Sequence, residues 1–97
     1  MTTAIDIGTL IARTPELHGG VPHIAGKGVT VRRIASDYKR GMSAEEIRDR
    51  IDHLSFAEVY AAIAYYHANK AEIEADLAEQ IAEAQRLQAF YSENAAS

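Results

Sequence analysis

Basic side chains with a regular spacing are the residues of this 97-residue sequence that best support a binding chemistry. Arg32 and Lys39 are seven residues apart, so they share one face of a helix, and Arg33 and Arg40 repeat that spacing. Ammonium and guanidinium groups placed in this way can bind the phosphates of duplex DNA. The predicted DNA-binding residues are Lys27, Arg32, Arg33, Lys39, Arg40, Arg48 and Arg50. A basic face that is merely solvated is an equally good interpretation.

The residue types needed for catalysis or metal binding occur in no recognisable arrangement. The sequence has no Cys, and hence no thiolate nucleophile and no Cys-based metal site. His18 and His23 are separated by Gly and Pro residues that favour turns, not by one helical turn. His53 and His67 are expected to be surface imidazoles that hydrogen-bond to the backbone. We therefore expect no enzymatic activity, no cofactor and no metal site.

An apolar stripe with acidic flanks occupies the last third of the sequence. Residues 51–97 contain eight acidic and two basic residues, whereas residues 1–50 contain six acidic and eight basic residues. An amphipathic helix of this type can enter a hydrophobic groove while its carboxylates meet a basic rim. The predicted partner-binding residues are Ile73, Leu77, Ile81, Leu87 and Phe90, flanked by Glu72, Glu74, Asp76, Glu79 and Glu83. The alternatives are a homodimeric coiled coil and packing on the chain's own first helices.

Short apolar runs around a glycine turn predict a small sheet in the first third of the chain. Residues 23–25 and 29–31 flank Gly26-Lys27-Gly28, a connection typical of a β-hairpin. A sheet this small is not stable by itself. We therefore expect it to pair two chains across a two-fold axis. The predicted dimerisation residues are Ile24, Val29 and Val31.

Three helices are predicted between residues 31 and 69. The first covers residues 31–39 and is followed by Gly41, in the position of a left-handed C-cap. Ser43-Ala44-Glu45-Glu46 and Ser55-Phe56-Ala57-Glu58 are capping boxes that open the second and third helices. The tight turn between those helices predicts a trihelical helix-turn-helix. The fold class is therefore mainly α, with a small N-terminal β-hairpin or sheet and a long C-terminal helix.

The third helix has no stop signal, because no Gly or Pro follows Gly41. A continuous helix to Tyr91 would be roughly 55 Å long, more than so short a chain can cover with its own core. We expect the part beyond Asn69 to pair with another chain or to order on a partner rather than to fold back. The predicted organisation is a lead-in over residues 1–9, a β-hairpin plus helix-turn-helix domain over 10–69, and an acidic amphipathic helix over 70–97.

The third helix is a poor candidate for reading DNA bases. Recognition helices direct Arg, Lys, Asn or Gln at base edges. Residues 55–68 contain none of these four residue types. Contact with DNA is therefore expected to be made with phosphates and to be largely independent of sequence.

Five segments carry a further signal. They are Gly20-Val-Pro-His-Ile-Ala-Gly26, Val29-Thr-Val31, Tyr38-Lys-Arg-Gly-Met-Ser-Ala-Glu-Glu-Ile47, Leu54-Ser-Phe-Ala-Glu-Val59 and Ala61-Ala-Ile-Ala-Tyr-Tyr66. In order and spacing, over about residues 10–75, they resemble the bacterial domain of unknown function numbered four-three-three. The sequence departs from that family's Gly-Thr-Arg-Ile-Pro-Val motif, because Gly28 occupies the arginine position. Lys27 could supply the missing charge.

The resemblance also implies a function. Families of this type resemble VapB-like antitoxins, which have a sheet that pairs two chains, a helix-turn-helix, and a C-terminal segment that binds a PIN-like nuclease toxin. The expected function is that of a cytoplasmic, homodimeric antitoxin or transcriptional regulator that contacts duplex DNA and a nuclease. The alternative is a homo-oligomeric structural or interaction module that does not bind DNA. No run of 18 apolar residues and no signal peptide is found, so no contact with a membrane is expected.

Overall fold

Four helices and a two-stranded sheet make up the part of the chain that the computed structural model describes, residues 4–15, 20–51 and 53–95. A turn of 3₁₀-helix over Ile7–Leu10 leads into the first strand. The elements are β1 (Ile11–Ala12), β2 (His23–Ile24), α1 (Val31–Lys39), α2 (Ala44–Arg50), α3 (Phe56–Ala68) and α4 (Lys70–Ala95). The predicted fold class is confirmed. His18 lies outside the described residues.

The small sheet joins segments other than those predicted. β1 and β2 are antiparallel, with Ile11 opposite Ile24. The predicted second strand of the hairpin contributes one isolated bridge, between His23 and Thr30. Thr30 is at the same time the N-cap of α1, which begins at Val31. The predicted hairpin is reduced to that bridge because the helix begins where the strand was expected.

Both predicted capping boxes are present. Ser43 Oγ accepts a hydrogen bond from the backbone N–H of Glu46 (3.2 Å), whose carboxylate accepts one from the N–H of Ser43 (3.0 Å). Ser55 and Glu58 form the same pair of bonds at the start of α3, at 3.1 and 2.8 Å. Gly41 has φ +91°, a conformation that favours glycine, directly after α1. Local signals therefore placed the first three helices correctly.

The predicted dimerisation residues lie in the core of the single chain. Ile24 and Val31 are fully buried, and Val29 is almost fully buried. Each helix contributes at least one further buried aliphatic side chain to this core, among them Ile34, Ile47, Val59 and Ile73. The three side chains therefore stabilise one chain, and a homodimer, which stays a prediction, requires another surface.

α4 is a separate helix that folds back onto the domain. The helical backbone is interrupted at Asn69 (φ −130°, ψ 44°), whose side-chain amide donates to the carbonyl of Tyr65 (3.2 Å). This turn brings Ile73 and Leu77 into the core, where they are 0% and 8% exposed. The expectation that the chain beyond Asn69 does not fold back is therefore wrong for residues 70–77. The predicted domain boundary coincides with the helix break, but the core extends across it.

Beyond Leu77, α4 projects from the core. The described side chains from Ala78 to Glu93 are all exposed except that of Ala82, which is half-buried. The molecule is accordingly 66 Å long but only 29 and 25 Å across. We call residues 70–77 the proximal half and residues 78–95 the distal half of α4. Although α4 has 26 residues, no helix within the described ranges is long and apolar enough to span a membrane.

Candidate functional site

Acidic residues of the proximal half of α4 neutralise part of the predicted DNA-binding surface. Arg32 of α1 pairs with Asp76 at 2.9 Å, and both side chains are largely buried. Lys39, at the other end of α1, pairs with Glu74 at 2.6 Å. Both carboxylates were predicted to face the basic rim of a partner. Because they are engaged within the chain, neither is available for that role in this conformation.

A polar and aromatic joint supports this arrangement of α1, α3 and α4. Hydrogen bonds from Lys39 and from the Tyr66 hydroxyl (2.5 Å) hold the pKa of Glu74 below its ordinary value. The same bond to Glu74 raises the pKa of Tyr66 to about 12. The Tyr66 ring also lies against Tyr38 and His67, with centroids 6.2 and 5.3 Å away. Sequence reasoning missed this joint, because no local signal defines the angle between α3 and α4.

Lys27 has a structural role in the turn between β2 and α1. Its ammonium group donates to the backbone carbonyl of His53 (2.6 Å) and to Glu58 (2.7 Å), the carboxylate of the α3 capping box. Burial alone would raise the pKa of Glu58, but the hydrogen bonds from Lys27 and Ser55 outweigh it and lower that pKa. Lys27 therefore ties the glycine turn to the start of α3, and its charge is already compensated.

Arg48 is likewise engaged within the fold. Its guanidinium group lies 4.5 Å from the centroid of the Phe56 ring, a cation–π contact, and its Nε donates to the carbonyl of Leu54 (3.2 Å). Arg48 therefore braces the tight turn between α2 and α3. Among the predicted DNA-binding residues, Lys27, Arg32, Lys39 and Arg48 thus all have partners within the chain.

The other three predicted DNA-binding residues surround one depression, which we call the arginine groove. They are Arg33, Arg40 and Arg50. Arg40 and Arg50 both donate to the same oxygen, Asp37 Oδ1, and the distance from Arg50 is 3.1 Å. The Asp37 side chain is 3% exposed, whereas about half or more of each of these two arginine side chains is exposed. Arg33 forms no ion pair with any residue that the structure describes. The groove has a volume of about 390 Å³ and is also lined by Gly28, Thr30, Arg32, Ser36 and Gln80.

The outer surface of α3 lacks the groups that read bases. Its large exposed side chains are Phe56 and Tyr60. His67 is exposed as well, but its Nε2 lies 3.0 Å from the Tyr38 hydroxyl, at hydrogen-bond distance. This surface agrees with the expectation that α3 is not a recognition helix.

The predicted partner-binding residues are divided between the two halves of α4. Ile73 and Leu77 belong to the core, whereas Ile81, Leu87 and Phe90 are 58%, 48% and 58% exposed. Tyr91, which was not included among them, is 67% exposed and lies edge-on to Phe90, with centroids 5.6 Å apart. Its position four residues after Leu87 was the sequence signal for it. We call the four residues Ile81, Leu87, Phe90 and Tyr91 the distal stripe.

The charges of the distal half differ from those of the proximal half. Glu79 and Glu83 both pair with Arg86, at 3.1 and 2.5 Å, and all three side chains are more than half exposed. Glu93 adds a third carboxylate. The distal half therefore has an excess of two negative charges, and its ion pairs are weak because water screens them.

A second, apolar groove lies between the N-terminal 3₁₀ turn and α3. It has a volume of about 560 Å³ and is lined mainly by Ile7, Ile11, Ala61, Ala64 and Tyr65. At its edge Arg13 bonds to the Tyr65 hydroxyl (2.5 Å) and pairs with Glu72 of α4. Sequence reasoning did not predict this groove, because it is formed where the lead-in crosses a helix face.

Potential metal ligands are dispersed. Within residues 4–15, 20–51 and 53–95, the His, Asp and Glu side chains form no group of three that could hold a metal ion. The arginine groove, the apolar groove and the distal stripe are candidate surfaces for binding.

The fold and these surfaces define a small helical domain with a two-stranded sheet and a projecting C-terminal helix. Residues 11–66 match the family described as "Protein of unknown function (DUF433)", and the chain belongs to that family. A crystal structure of a DUF433 member protein from Anabaena variabilis is similar, with a TM-score of 0.67 and 24% sequence identity. The similarity covers 72% of this chain and 69% of that one, and it shows the fold. The comparison with curated proteins gave no match.

Proposed function

We propose that the protein is a non-enzymatic binding module, the antitoxin of a toxin–antitoxin pair, which holds a nuclease toxin with the distal half of α4. The observation that carries the proposal is the distal stripe, four large apolar side chains on a helix that projects from the core. Large exposed apolar groups grouped on one element are typical of an interaction site.

Leu87 and Tyr91 of the distal stripe continue the face that α4 buries in its own domain, and Ile81 and Phe90 flank that face on either side. Tyr91 lies eighteen residues beyond Ile73, which is five full turns of an α-helix, and Leu87 precedes Tyr91 by one further turn. The helix therefore presents to the exterior the same kind of surface that packs well against α1 and α3. A helix with apolar anchors at this spacing suits a hydrophobic groove on a partner.

Charge favours a partner with a basic rim. The distal half has an excess of two negative charges, and its three ion-paired side chains are exposed enough to exchange partners. A nuclease binds an anionic substrate and therefore has a basic channel, which attracts such a helix. A PIN-like nuclease of the kind expected from the family resemblance fits this description.

Docking of the distal stripe contributes several kcal/mol to binding, to which charge complementarity adds. Complete burial of one large apolar side chain contributes roughly 1.5–3 kcal/mol. Because Ile81, Leu87 and Phe90 are already about half covered, docking them contributes roughly half of that amount each. The helix is formed before binding, so the entropy cost of ordering it is small.

The test is co-production with a PIN-like nuclease encoded beside this chain's gene, with RNA cleavage as the readout. We expect the protein to suppress cleavage, and the triple variant Ile81→Ser, Leu87→Ser, Phe90→Ser to bind the nuclease about 100-fold more weakly. The matched control is Ala78→Ser, Ala82→Ser, Ala89→Ser, which places three serines on the face of the same helix opposite Leu87.

Equal suppression by both variants would contradict the proposal, and so would the absence of any nuclease gene in that position. A distinct result would favour the alternative, a homo-oligomeric module that does not bind DNA. In that case, light scattering would show an oligomer for the chain and the control variant, but a monomer for the triple variant.

The proposal includes contact with duplex DNA, as expected of an antitoxin that also acts as a regulator. It assigns this contact to Arg33, Arg40 and Arg50. Arg40 and Arg50 share the one carboxylate of Asp37 and Arg33 has no ion pair among the described residues, whereas each of the other four has a partner of its own. A homodimer would double the number of phosphate contacts and strengthen binding. The expected measurement is retention of a duplex at low salt that disappears at high salt.

A further inference from the structure

We propose that the arginine groove is a binding site for one phosphate group. It lies between α1 and the end of α2, and Gln80 of α4 closes one side. This inference deepens the DNA contact of the proposed function by naming the site and the ligand chemistry. The inference depends on the proposed function only in taking nucleic acid as the source of the phosphate.

The charge balance of the groove supports an anionic ligand. Arg32 is neutralised by Asp76, which leaves Arg33, Arg40 and Arg50 facing the single carboxylate of Asp37. The groove therefore has an excess of two positive charges. This excess is local, because the whole chain has a net charge of −4 and its overall field does not attract anions.

Asp37 orients the arginines. Its side chain is almost fully buried, and one oxygen accepts hydrogen bonds from both Arg40 and Arg50. The two guanidinium groups are held side by side, yet each keeps donors on its exposed edge, because a guanidinium has five N–H groups. Two oriented guanidinium groups match the oxygens of a phosphate better than ammonium groups do.

The neutral side chains that line the groove and the volume of the groove also suit a phosphate. The hydroxyls of Thr30 and Ser36 and the side-chain amide of Gln80 line the same groove, and each can donate a hydrogen bond. Its volume of about 390 Å³ accommodates a phosphate together with several waters. An apolar or cationic ligand would leave the arginines uncompensated, so the groove favours a compact anion with several acceptor oxygens.

The experiment is an NMR titration of the full chain that follows the arginine side-chain signals. One arm uses inorganic phosphate, and the other uses a short DNA duplex of random sequence. We expect Arg33 and Arg50 signals to shift with both probes, and duplex affinity to fall with salt with a log–log slope of about −1, as for one phosphate contact. Arg33→Gln and Arg50→Gln are each expected to weaken binding about tenfold.

The matched control is Arg86→Gln, which removes the same charge from an exposed position on the distal half. Arg33 has no ion pair in the described chain, and Asp37 keeps Arg40 when Arg50 is replaced, so both variants should fold; thermal melting checks this. Phosphate binding without duplex binding would support the site and refute the DNA contact. Duplex binding that Arg33→Gln and Arg50→Gln leave unchanged would refute the site, as would the failure of both probes to bind.

Discussion

The two halves of α4 carry similar apolar faces but have opposite surroundings. In the proximal half, Ile73 and Leu77 are buried against the domain, whereas Leu87 and Tyr91 in the distal half are about half or more exposed. The difference comes from the neighbouring helix. α1 has nine residues and is therefore about 13 Å long, enough to cover roughly the first two turns of α4. The length of its neighbour, rather than its own pattern, determines where α4 leaves the core.

Truncation should show the largest difference between the halves. We expect a chain without residues 70–97 to be unfolded, since it loses Ile73, Leu77 and two ion pairs with α1. The loss of the two core side chains alone costs more than about 4 kcal/mol, comparable to the total stability of many small domains. A chain without residues 81–97 should remain folded. Circular dichroism and urea unfolding measure both; a folded 70–97 deletion would contradict this description of the core.

Single substitutions should repeat the contrast on a smaller scale. Ile73→Ala is expected to lower the free energy of unfolding by roughly 2–5 kcal/mol, because it leaves a cavity in the core. Leu87→Ala, the control at the corresponding face of the distal half, should change it by less than about 0.5 kcal/mol. Urea unfolding at one temperature measures both values. A similar loss for the two variants would mean that the distal half is also packed.

Local signals in the sequence were sufficient for the first three helices. Capping boxes and a glycine C-cap depend on residues a few positions apart, so Ser43, Ser55 and Gly41 could be assigned without tertiary information. The strand pairing was not accessible in this way. β2 pairs with β1 across a long connection. The sequence around Thr30 is compatible both with a strand and with the N-cap of a helix.

The candidate site was predicted only in part, because most basic residues have partners that are distant in sequence. Arg32 and Asp76 are forty-four positions apart, and they meet only because the chain turns at Asn69. The stripe on α4 was visible from spacing, but its division into buried and exposed halves depends on that same turn. Asn69 was thus the decisive residue; Asn does occur at helix ends, but it is a weaker stop signal than Gly or Pro.

Loss of an ion pair should also lower the free energy of unfolding more in the proximal half than in the distal half, but by a smaller amount. Asp76→Asn is expected to cost about 1–2 kcal/mol, because it leaves the largely buried Arg32 guanidinium without its carboxylate. Glu79→Gln removes an exposed partner of Arg86 and should have no measurable effect. Thermal unfolding at low and high salt compares the two. If both variants behave alike, the Arg32–Asp76 pair does not hold α4 against α1.

The joint at Glu74 and Tyr66 should make the proximal contact sensitive to pH at both extremes. The pKa of Glu74 is lowered in the folded chain, so its contribution is present above its ordinary value of 4.5 and is lost as the pH falls through the folded value. The pKa of Tyr66 is raised from 10.0 to about 12, so its contribution is lost as the pH rises between those values.

The variants Glu74→Gln and Tyr66→Phe test this joint through the bond that the two groups share. Glu74→Gln should flatten both limbs of the stability–pH curve, because Glu74 is also the main cause of the raised pKa of Tyr66. Tyr66→Phe should flatten the alkaline limb and only reduce the acid limb, because Lys39 still lowers the pKa of Glu74. Glu93→Gln, in the distal half, is the control and should leave both limbs unchanged. Unchanged limbs in the two joint variants would show that neither group stabilises the contact of α4 with α1.

Hydrogen exchange along α4 is the most direct test of the claim that one helix has a structural half and a binding half. In the free protein, we expect amides around Ile73 and Leu77 to exchange only on global unfolding, and amides around Leu87 and Tyr91 to exchange quickly. Addition of the nuclease should slow exchange in the distal half and leave the proximal half unchanged. Distal amides that remain fast in the complex, or that are already as slow as the proximal ones in the free monomer, would contradict the account.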